Sequence, residues 1–245
     1  MKRIVLTALV SVGLNLHALG GVYFNQTFNS GFQNGGVIPD GSLNGLADTR
    51  TVSGASGSWQ ITGLTVVVNV SGGVNGDWYA YLTHGSGFAV LLNRVGVGSS
   101  DPFGASGSGL SSLIFTTAAN SGNVHFLLGN GDGAGGTFAP DGRTIDSLSS
   151  PSAFDSASTT ANFTTFNGLD PNGGWTLFFA DTVKGGGSPT LTSWSLDITA
   201  VPEPVNVALG VFAGAFVVVI VARSRAVRNR FQRARAAVVE WVDAV

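Results

Sequence analysis

Apolar residues along this chain follow two patterns: short stretches that alternate with polar residues, and two unbroken runs near the termini. In the interior, Leu64, Val66, Val68 and Val70 share one face of an extended segment. Trp78, Ala80 and Leu82 alternate with Tyr79 and Tyr81. Residues 89–92, 113–115 and 124–128 are further short apolar runs. The clearest alternation comes last, with Trp175, Leu177 and Phe179, then Trp194, Leu196 and Ile198. Successive side chains of a strand point to opposite faces, so a period of two marks strands with one buried face. Clusters of Gly, Ser, Asn and Asp separate these segments, and no amphipathic helix lies between them, which disfavours a parallel α/β arrangement. The pattern predicts an all-β domain over residues 21–200, a jelly-roll-like β-sandwich. The Gly-rich loops 96–109 and 130–158 are long for a compact domain, and such loops are either functional or loosely held.

The two terminal runs carry a different message. Met1-Lys2-Arg3 is a basic start, residues 4–19 are mostly apolar, and Ala18-Leu19-Gly20 supplies small residues. That order predicts a signal peptide, residues 1–20, cut by signal peptidase after Gly20. At the other end, Val201-Pro202-Glu203-Pro204 precedes an uncharged run over residues 205–222. The run is close to the shortest helix that crosses a hydrocarbon layer of about 30 Å. Arg223, Arg225, Arg228, Arg230, Arg233 and Arg235 follow it. Positive segments resist translocation, so these arginines act as a stop-transfer signal and stay in the cytoplasm. Residues 205–222 are thus predicted to be a transmembrane helix in the inner membrane, with residues 223–245 as an Arg-rich cytoplasmic tail. Everything before Pro202 is then exported.

Charge sharpens this division. The net charge of −2 averages two unlike parts. Between Gly21 and Val201, eleven aspartates and no glutamate face Arg50, Arg94, Arg143 and Lys184, leaving seven excess negative charges. An acidic exported domain argues against nucleic acid as a partner. The chain has no cysteine, so disulfides, thiolate catalysis and Cys-ligated metals are excluded.

Candidate chemistry is sparse. After signal removal only His84, read as a turn residue, and His125, read as a strand residue, remain. Gly104-Ala105-Ser106-Gly107-Ser108 lacks the final glycine of a nucleophile elbow. No catalytic residue and no enzymatic activity is expected. Gly131, Gly133 and Gly136 have the spacing of a dinucleotide loop but no helix after them. Asn130 and Asp132 alternate like calcium ligands, yet Ala134 stands where a third ligand belongs. Asp77, Asp132 and Asp181 are the best calcium candidates, but the aspartates are dispersed and no cofactor is expected. Tyr79 and Tyr81 lie on the opposite phase from Trp78 and are the surface candidates for stacking against a ligand, whereas Trp175 and Trp194 share the core phase.

Two resemblances follow from these residues. Pro202-Glu203-Pro204, the single apolar span and the arginine cluster together resemble the PEP-CTERM sorting signal of Gram-negative bacteria. Val205 departs from the usual Ser or Thr, and the chain continues after the arginines. The resemblance implies an exosortase as processing partner, and residence at the cell surface or in an exopolysaccharide or biofilm matrix. Residues 38–199 resemble the P domain (P/Homo B) that follows the catalytic domain of subtilisin-like proprotein convertases. The match is densest at Phe166-Asn167-Gly168, Asn172-Gly173-Gly174-Trp175-Thr176-Leu177, Asp181, and Leu191 with Trp194-Ser195-Leu196 and Ile198. Phe115-Thr116-Thr117 departs from a Phe-Asp-Asp common in that family. The family fold is a jelly-roll sandwich.

Three functions fit: a non-enzymatic surface or matrix protein, a carbohydrate- or protein-binding module, and an accessory domain for a separate subtilisin-like protease. The first accounts for both termini.

Overall fold

A computed structural model of the chain describes residues 21–55, 58–117, 122–128 and 134–242. The signal peptide read at residues 1–20, and Asp132, lie outside the described residues. The chain divides into two units, one of residues 1–55 and 59–201 and the other of residues 56–58 and 202–245.

The first unit is all-β. Its strands are β1 (Val22–Phe28), β2 (Ser42–Val52), β3 (Trp59–Ser71), β4 (Trp78–His84), β5 (Gly87–Asn93), β6 (Leu110–Thr116), β7 (Ala134–Phe138), β8 (Gly173–Asp181) and β9 (Thr190–Pro202). They form a five-stranded sheet in the order β1-β9-β3-β6-β7 and a four-stranded sheet in the order β2-β8-β4-β5. Successive strands cross repeatedly from one sheet to the other, which is the jelly-roll plan. β7 is an addition to that plan. It pairs parallel with β6, whereas β1–β9, β2–β8, β3–β6, β4–β5 and β4–β8 are antiparallel.

The alternating residues meet between the sheets. Leu64, Val66, Val68 and Val70 of β3 face Trp78, Ala80 and Leu82 of β4 and the Trp175-Leu177-Phe179 set of β8 within one buried cluster. Trp78, Trp175 and Trp194 are all fully buried. Each large side chain removed from water contributes about 1.5–3 kcal/mol.

One segment departs from the strand pattern. Residues 124–128 form a single helical turn, α1 (Val124–Leu127), not a strand. Val124, His125 and Leu128 are buried while Phe126 is 71% exposed, a spacing of a helix and not of a strand. Asn123 starts the turn, its side-chain oxygen accepting the His125 backbone N–H at 2.9 Å. A second short helix is α2 (Pro151–Asp155).

The second unit is one long helix, α3 (Pro204–Val242). It runs past Ala222 through the arginines, because no Gly or Pro follows Gly214 to stop it. The stretch Leu209–Arg235 is long and apolar enough to cross a membrane, and its apolar side chains are not buried against the protein.

Candidate functional site

Alternation on β4 turns Tyr79 and Tyr81 away from the fully buried Trp78, Ala80 and Leu82. They lie on the outer face of the four-stranded sheet, where Tyr81 is in register with Phe178 of β8. The two rings stack with centroids 4.7 Å apart and planes 16° apart. Phe88 of β5 approaches Tyr81 at 5.3 Å, and Tyr79 meets it edge-on at 5.9 Å. The result is a row of four contiguous rings across three strands. Tyr79, Tyr81 and Phe178 of this row line a cleft of about 340 Å³ together with Leu43, Ala180 and residues 144–147. Burial raises the Tyr79 phenol above its ordinary value, and the neighbouring Tyr81 and Asp146 raise it further.

The wall of the cleft is fixed from behind. Asp141 is fully buried and binds His125 Nδ1 through Oδ2 at 2.8 Å and Arg143 Nη1 through Oδ1 at 2.9 Å. Arg143 Nε donates to the Phe154 carbonyl at 3.1 Å. Asn93 Nδ2 donates to the Arg143 and Ile145 carbonyls at 3.3 and 2.9 Å. A buried charged network of this kind adds little net stability, but it holds one geometry. Here it ties residues 141–145 to β5 and α1.

The other residues singled out from the sequence fall elsewhere. His84 is not in a turn; it is the last residue of β4 and nearly buried. Its ring lies flat on Trp175 at 4.1 Å, with Nδ1 3.0 Å from the Gly174 carbonyl oxygen and Nε2 2.6 Å from that of Asp170. His125 sits in α1, and its Nε2 lies 3.0 Å from the Val97 carbonyl oxygen. Both ring nitrogens of both histidines therefore face carbonyl or carboxylate oxygens. Asn172, Trp175 and their glycines form a structural corner. Asn172 exchanges two hydrogen bonds with Ala55, each of 3.1 Å, and Trp175 Nε1 donates to Pro171 at 3.1 Å.

Asp77 and Asp181 come together electrostatically at one end of the four-stranded sheet, with Asp40 beside them. Burial raises the Asp77 carboxyl, the Arg94 guanidinium opposes this, and Asp40 adds to it. Among the described residues, no group of three or more His, Asp or Glu side chains is arranged to hold a metal ion. Thr116 and Thr117 border a separate depression on the other sheet, with Tyr23 and Asp197. Arg223, Arg225, Arg228 and Arg230 are exposed on α3, and Glu203 alone lies between the end of β9 and the start of α3.

No protein-family model matches the sequence, and a comparison with curated proteins finds no relative. Two solved structures are similar. One is the serine protease of Aeromonas sobria, with TM-score 0.41 and 13% identity over 73% of this chain. The other is that protease in complex with its chaperone, with TM-score 0.40 and 13% identity over 75% of this chain. The chain covers 27% of the length of either match.

Proposed function

We propose that this is a non-enzymatic surface or matrix protein: a β-sandwich exported, held at the inner membrane by α3, and released to the cell surface through Pro202-Glu203-Pro204. The observation that carries the reading is the order of parts: an acidic sandwich, the Pro-Glu-Pro tripeptide, a helix with an uncovered apolar stretch, and six arginines. An exosortase is the processing enzyme this order calls for, and an exopolysaccharide matrix is the destination. Both ring nitrogens of His84 and His125 face oxygen acceptors, an engagement that supports a non-catalytic role for these two residues. No cofactor enters this reading.

A second reading rests on the P-domain resemblance of residues 166–198: an accessory domain for a separately encoded subtilisin-like protease. Reporter fusions test the first. A periplasm-active reporter placed after Val201 should work, and after Val245 only a cytoplasm-active one should. The reverse pattern overturns it. A purified protein that changes the activity of a subtilisin-like protease favours the second reading.

A further inference from the structure

We propose that the cleft over Tyr79, Tyr81 and Phe178 is a binding site for a neutral oligosaccharide. The site belongs to the sandwich and stands whether or not the tail is processed. Three rings of the row described above line it, Tyr79 and Tyr81 of β4 and Phe178 of β8. A pyranose ring has an apolar C–H face and a rim of hydroxyls. Aromatic rings match the first, and tyrosine adds a polar tip at little conformational cost. The rim of the cleft supplies the second match, with the side chains of Thr144, Asp146 and Ser147.

Asp146 decides the charge of the ligand. It is exposed at the mouth of the cleft, and its carboxylate is an acceptor for hydroxyl donors. It repels an anionic group at the same place, as do the seven excess negative charges of the exported domain. Among the described residues, none of those lining the cleft is basic. A uronate, sulfate or phosphate polymer is thus disfavoured and a neutral one favoured. The volume, about 340 Å³, lies at the small end of ordinary ligand sites, near 300–1,000 Å³. The wall is anchored at Ile145, whose carbonyl accepts from Asn93 Nδ2 at 2.9 Å, and beyond it Asp146 Oδ1 accepts the Leu148 N–H at 2.9 Å. A ligand therefore meets a site whose ordering cost is already met.

The test is calorimetric titration of the full-length protein in detergent micelles. The probes are pentasaccharides of glucose (β-1,4 and α-1,4 linked), mannose and N-acetylglucosamine, with pentagalacturonate as the acidic comparator. At least one neutral probe should bind at micromolar to millimolar concentration, and pentagalacturonate should not. Tyr81→Ala should weaken that binding at least tenfold. Should Tyr81→Ala fail to fold, Tyr79→Ala and the near-isosteric Asp146→Asn serve instead, each expected to weaken binding several-fold. Tyr23→Ala, at the exposed tyrosine beside the other depression, should leave it unchanged. Binding of none of the neutral probes overturns the proposal. So does tighter binding of pentagalacturonate, neutral binding that survives the cleft variants, or binding lost on Tyr23→Ala.

Discussion

Trp194 Nε1 donates a hydrogen bond to Asp48 Oδ2 at 2.6 Å, joining β9 of one sheet to β2 of the other through the buried core. The same carboxylate oxygen takes Arg50 Nε at 2.7 Å. The Arg50 guanidinium lies 5.1 Å from the Phe28 ring centre and 5.2 Å from that of Phe32. A carboxylate that is only 6% exposed is thus satisfied by one indole N–H and one guanidinium. Trp194→Phe keeps most of the apolar volume but removes the N–H. A hydrogen bond to a charged group contributes about 1.5–3 kcal/mol, so urea unfolding should show a loss of that order. A loss no greater than that of an exposed substitution would show that the two sheets do not depend on this contact.

The Asp141 network makes a stronger demand. Asp141→Ala leaves Arg143, only 2% exposed, without its carboxylate. Breaking a buried pair from one side costs about 3–5 kcal/mol. The variant should melt far below the wild type. Amide exchange along residues 141–147 should quicken more than in β3, because these residues lose their tether to α1. Equal protection in both places would mean that the network does not fix the cleft wall.

Much of this architecture was legible in the alternation of apolar residues. β3, β4, β8 and β9 bury the faces that their period of two indicates, because each passes over the core with one side covered. β2 was hidden for a physical reason. Its core face includes the carboxylate of Asp48, and a register shift between Ser42 and Leu46 interrupts the alternation. β7, with the sequence Ala-Gly-Gly-Thr-Phe, has no apolar rhythm to read. Residues 124–128 misled because a short apolar run suits a strand and a buried helical turn alike. In the cleft, only the phase of Tyr79 and Tyr81 was readable. Asp146 and Phe178 join them from distant parts of the chain, through pairings that sequence spacing does not display.

Asp181 gives a pH dependence with a definite sign. Its side chain is buried, and Oδ1 accepts the Val183 N–H at 3.3 Å. Burial pushes the carboxyl up from 3.8 to about 6, the Val183 and Gly41 N–H groups oppose this, and the charges of Asp77 and Asp40 add to it. The folded protein therefore holds this proton more tightly than the unfolded chain does. Stability is unpenalised below the unfolded value, falls as pH rises toward about 6, and carries the full penalty above it. Asp181→Asn is neutral throughout and removes the penalty. Urea unfolding should show the variant gaining on the wild type by roughly 1–3 kcal/mol at pH 7.5 relative to pH 4. A difference that does not change with pH would refute this account.

The processing proposed above would act at the junction at the end of β9. The strand ends at Pro202 and the helix begins at Pro204, so only Glu203 belongs to neither. Both prolines suit these places. Pro202 cannot donate to a sheet ladder, and Pro204 stands where the helix needs no N–H. Together they keep strand and helix from extending into each other. Replacing Pro202-Glu203-Pro204 with Ala-Ala-Ala returns two N–H groups and removes the tripeptide by which an exosortase would recognise the tail. In cells that carry an exosortase, wild-type protein at the surface should lack α3, and the replaced protein should remain full-length in the inner membrane. Mass spectrometry of the surface fraction decides between outcomes. Peptides containing Trp241 on exported wild-type protein would make α3 a permanent anchor and refute the sorting role of the tripeptide.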